Sequence, residues 1–107
     1  MHAFDFDAQI IRGGDRPVLM IRGDLDTEVL PRLTDALEEL STHDVDIDAS
    51  GVTFIGSAAL QVLAHAWRRA TAEQRSVRIV RPSPPVARLL EVTALTDMAT
   101  PPVTPGS

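Results

Sequence analysis

At 107 residues, with 44% hydrophobic and 23% charged side chains, the chain has room for one globular core and no second. Its 15 acidic residues against 10 basic ones, every basic one an arginine, leave a formal net charge of -5. That charge repels phosphate backbones and argues against nucleic acid as a partner. The absence of cysteine excludes disulfides, thiolate nucleophiles and thiolate-held metals.

The N-terminal MHAFDFDAQI has no basic segment leading into an apolar run, so no signal peptide is read there. No apolar stretch reaches the ~20 residues of a membrane span. A cytoplasmic domain without membrane insertion is expected. Phe4, Phe6, Ala8 and Ile10 alternate with polar residues, which predicts a first, half-buried strand. Gly13-Gly14-Asp15 signals a turn, and Val18-Leu19-Met20-Ile21 a second strand paired with the first as a hairpin. Gly23-Asp24-Leu25-Asp26 is then expected as a loop.

Leu30, Leu33, Leu37 and Leu40 form one apolar stripe, and Pro31 fits only a first turn, so a helix starts near Val29 or Leu30. Val45, Ile47 and Ala49 alternate with Asp44, Asp46 and Asp48, a third strand with one apolar and one acidic face. This pattern predicts helices on one side of the sheet only. A loop over 50–56 leads to Ser57 and a second helix with Leu60, Leu63, Ala64, Trp67 and Ala70 inward. Val77, Ile79 and Val80 make a fourth strand. Ser83 is placed to cap a third helix that has Pro84 at its first position and Val86, Leu89 and Leu90 inward. Arg68, Arg69, Arg75, Arg78, Arg81 and Arg88 read as solvated. The domain is taken as residues 1–98, with 99–107 as a disordered, proline-rich tail.

Little of this pattern points to catalysis. Asp44, Asp46 and Asp48 share the spacing of a calcium loop, but Ala49 and Ile55 stand where such a loop needs Gly and Glu, and a strand fits better. Asp24, Asp26 and Ser57 are the only grouping that would support an enzyme or small-ligand site. No histidine adjoins them in sequence, and no phosphate-binding glycine loop is present. No metal or cofactor is expected. Ser57 has a double reading: a hydroxyl capping the second helix, or an accessible acceptor whose phosphate would lie at the positive end of the helix dipole.

The stretch VDIDASGVTFIGSAALQVL, Val45 to Leu63, resembles the signature of the STAS domain family. Gly23-Asp24-Leu25-Asp26 resembles the family's Gly-Glu-Leu-Asp, and RPSPPVARLLEVTAL, Arg81 to Leu95, its last helix and the turn before it. The likeness spans roughly residues 4 to 98. It implies an α/β fold, a single layer of helices on a mixed four- to five-stranded β-sheet. It also implies an anti-sigma factor antagonist: a non-enzyme that binds a serine-kinase anti-sigma factor, frees a sigma factor, and is released when Ser57 is phosphorylated. The partner-binding face would comprise Asp24, Asp26, Thr27, Ser50, Thr53, Gly56, Ser57, Ala58 and Gln61. Gly56 stands where the family usually has Asp, Ala59 and Ala94 where it usually has Gly. These departures leave an alternative, a STAS scaffold without the switch, such as the cytoplasmic subunit of a lipid-transport complex. Pairing of two copies through a short sheet edge also stays open.

Overall fold

In the computed structural model of the protein, residues 6–99 are described. His2, Phe4 of the expected first strand, and tail residues 100–107 lie outside them. The strands are β1 (Phe6–Ile11), β2 (Val18–Leu25), β3 (Val45–Ile55) and β4 (Val77–Val80). The helices are α1 (Leu30–Glu39), α2 (Ser57–Ala72) and α3 (Pro84–Val92).

The glycine turn returns the chain tightly, with Gly13 at φ 134°, so β1 pairs antiparallel with β2. Each later strand arrives after a helix and pairs parallel, giving the order β1-β2-β3-β4. Leu19, Ile21, Ile47, Ala49 and Ile79 are fully buried on one face, against Leu33 of α1, Leu60 and Leu63 of α2 and Leu90 of α3. Each such leucine contributes about 2 kcal/mol of burial. Helices therefore cover one face of a mixed four-stranded sheet, as the aspartate alternation predicts. No helix among the described residues is long and apolar enough to cross a membrane.

The other face departs from expectation. Its carboxylates are paired rather than solvated. Asp46 accepts from Arg16 Nε at 2.8 Å and Arg78 Nε at 2.6 Å. Asp48, only 3% exposed, accepts from Arg81, from Ser50 N at 3.0 Å and from Ser50 Oγ at 2.8 Å. Burial alone would raise both carboxyls, but the arginine and Ser50 hydrogen bonds outweigh it and hold both below the usual aspartate range. Arg78 and Arg81 are thus structural partners. Arg81 takes part from a left-handed backbone, φ 49°.

Three further differences have local causes. The expected loop at 50–56 is strand as far as Ile55, where β3 ends, and β2 runs through Leu25. Their ladder survives because the register shifts twice, between the partners of Met20 and Arg22 and between those of Gly23 and Asp24. At the first shift a Cβ on Gly51 would lie 2.8 Å from Arg22 Cβ, so only glycine fits there. Ser83 holds the cap position of α3, but its buried Oγ has no partner among the described residues. Pro84 and Pro85 fill the first two helical positions and have no N–H there to donate to it. Ala99, expected in the tail, is buried and forms a parallel bridge to Ile79.

Candidate functional site

Strands β2 and β3 end side by side. Asp24 is paired with Phe54 and Leu25 with Ile55, and Gly56 N donates to Leu25 O at 3.1 Å. This register brings Asp26 alongside Gly56 and Ser57. Asp26 caps the short 3-10 turn Thr27–Val29, its Oδ1 accepting from Thr27 N at 2.7 Å. Asp24 is fixed by Thr53, whose Oγ1 donates to its Oδ1 at 2.6 Å. Ala58 and, one helical turn further on, Gln61 are exposed on α2.

Ser57 is not the cap. Gly56 holds that position with extended dihedrals, φ −85° and ψ 162°, and Ser57 is the first helical residue. No side chain among the described residues caps α2, and no acidic residue stands in its first turn. The first N–H groups of the helix are therefore left without an acceptor among the described residues. The Ser57 hydroxyl is exposed and, among the described residues, takes part in no hydrogen bond. Position 56 has room for a side chain, since a Cβ there would meet Leu25 O at 3.7 Å and the Phe54 ring at 3.8 Å, ordinary contacts.

Of the nine residues predicted for a binding face, eight gather at this end of the sheet. Ser50 does not. It stands six residues before Gly56, roughly 20 Å back along the strand, with its hydroxyl bound to Asp48. Phe54 joins the face without having been expected. The second register shift passes over Thr53, so Thr53 and Phe54 are both exposed between buried Val52 and Ile55. Strict alternation from Val52 would have placed Phe54 inward, and only the bulge turns it out.

An open groove lined by Phe6, Asp7, Arg22, Gly23, Asp24, Gly51 and Thr53 borders this end. It includes Asp24 but neither Asp26 nor Ser57, so this groove does not bring together the three residues an acid–base site needs. No cluster of potential metal ligands occurs among the described residues.

The family described as Mlab, STAS domain matches residues 9–101. The chain belongs to the STAS family. No curated protein matches it. Solved STAS-like folds do. An anti-sigma factor antagonist from Mycobacterium paratuberculosis is 22% identical, with a TM-score of 0.74 over 89% of this chain and 83% of that one. The anti-sigma factor antagonist SpoIIAA in its unphosphorylated form is 14% identical, with a TM-score of 0.73 over 87% and 85%. The Bacillus cell fate determinant SpoIIAA in its phosphorylated form is 14% identical, with a TM-score of 0.67 over 91% and 88%. At such identities the likeness establishes the STAS fold, and function has to be argued from the site.

Proposed function

We propose that this STAS domain is an anti-sigma factor antagonist. It binds a serine-kinase anti-sigma factor in the cytoplasm through the end of the sheet that carries Ser57, and so frees a sigma factor. Phosphorylation of Ser57 by that kinase then breaks the complex. The observation that carries this reading is the state of Ser57: an exposed hydroxyl at the first position of α2, engaged by nothing among the described residues. A capping serine would have to give up its hydrogen bond to be modified; this one has none to lose. Its phosphate would adjoin N–H groups with no capping side chain and the positive end of a 16-residue helix. In an interface the same phosphate would put roughly two negative charges into a desolvated contact. The fold is shared with SpoIIAA, solved in both phosphorylated and unphosphorylated forms, which supports this reading. Incubation with each kinase-type anti-sigma factor of the source organism and ATP, followed by peptide mass spectrometry, tests it. A phosphate on the peptide containing Ser57 is expected; a protein that none of these kinases modifies would overturn the switch.

A second reading has specific support in the family description, which names Mlab, and in Gly56 and Ala59. Under it the domain is a STAS subunit without a switch, such as the cytoplasmic component of a lipid-transport complex. Co-purification with membrane transport subunits and no phosphopeptide would favour it.

A further inference from the structure

We infer that Phe54 is the apolar anchor of the partner interface, and that it inserts into an apolar socket whose rim carries arginine or lysine. This deepens the proposed antagonist function and rests on it. Three large hydrophobic side chains are exposed among the described residues: Ile11, Phe54 and Val92. Phe54 alone adjoins the proposed switch. The residue is 49% exposed, and its ring edge would be 3.8 Å from a Cβ at Gly56, the residue immediately before Ser57. Glycine at 56 leaves that flank of the ring uncovered. Strand pairing fixes the backbone on the other side, through Asp24 opposite Phe54 and Ile55 opposite Leu25. A half-exposed aromatic on a rigid strand end loses little conformational freedom when it docks, as interface hot spots require.

Charge sets the chemistry of the partner. Asp24, the strand partner of Phe54, and Asp26, two residues further on, are held by Thr53 and by the Thr27 N–H, and Glu28 follows them; none is paired with a cation among the described residues. Carboxylates without an ion-pair partner, on the strand end beside an exposed aromatic residue, match a partner surface with cations surrounding an apolar pocket. This arrangement also says why a phosphate on Ser57 would release the partner although the rim is basic. Rim pairs between exposed charges return little, whereas a dianion forced against the wall of a dry socket loses its hydration. The phosphate acts on the anchor.

The test is binding of purified Phe54 variants to the kinase-type anti-sigma factors of the source organism, by calorimetry at two salt concentrations. Phe54→Ala is expected to weaken binding about 30-fold or more, with little change in melting temperature because the ring is half in solvent. Phe54→Leu, which keeps apolar bulk and covers the case of an unstable alanine variant, should lose clearly less. Asp24→Asn combined with Asp26→Asn should flatten the salt dependence of association while changing affinity less than about 5-fold. Wild-type binding with unchanged affinity in Phe54→Ala would overturn the anchor and leave the antagonist reading standing. Absence of wild-type binding to every such factor would overturn both.

Discussion

The two ends of β3 hold carboxylates in opposite circumstances. Near its start, Asp46 and Asp48 meet Arg16, Arg78 and Arg81 and are largely withdrawn from water. Beside its far end, Asp24 and Asp26 are hydrogen-bonded, among the described residues, by only a hydroxyl and a backbone N–H. The same residue type thus serves the fold at one end and is left available at the other. Ser50 and Ser57 repeat the contrast, one hydroxyl bonded to Asp48 and the other engaged by nothing among the described residues. A surface that must bind and release a partner gains from leaving its polar groups unspent within the fold.

The comparison breaks most visibly through Asp48. Asp48→Ala removes a buried carboxylate that accepts from Arg81 and twice from Ser50. It should cost about 2–3 kcal/mol, or roughly 10 °C or more in a domain this size, measured by calorimetric melting. Asp24→Ala at the far end should cost under about 1 kcal/mol.

Acid should act on the same end. Asp46 and Asp48 have folded-state pKa values below the usual one, so the unfolded chain takes up protons first as pH falls. Their contribution is fully present at neutral pH. It declines once pH drops below about 4 and is gone below their depressed folded values. Denaturant melts across that range should show this loss, and a combined Asp46→Asn and Asp48→Asn variant should lose less stability on acidification than the parent.

Much of this fold is legible in the sequence because apolar periodicity is a local signal. Leu33, Leu60, Leu63 and Leu90 are buried where their spacing puts them. The arginine–aspartate pairs are not legible, since Arg16 and Asp46, or Arg81 and Asp48, are joined only by strand order and register. The bulges are hidden for another reason. A strand reads by parity, and one extra residue reverses it, which made 50–56 look like loop and concealed Phe54. The position of Ser57 is legible as a strand-to-helix junction. Its freedom from capping is not, because it depends on Gly56 taking the cap by one residue.

The smallest expected effect concerns that cap. Gly56→Ser adds an acceptor at the N-cap of α2 in space that is already open. It should stabilise the domain by only a few tenths of a kcal/mol, read from denaturant midpoints. A large destabilisation there would mean that Gly56 is required by the fold rather than by the surface.

The most direct measurement is calorimetric titration of the anti-sigma factor that binds the wild type with Ser57→Ala and Ser57→Asp. The alanine variant should bind within about 3-fold of wild type, and the aspartate variant about 100-fold more weakly. Equal affinity of the two variants would contradict a charge switch at Ser57.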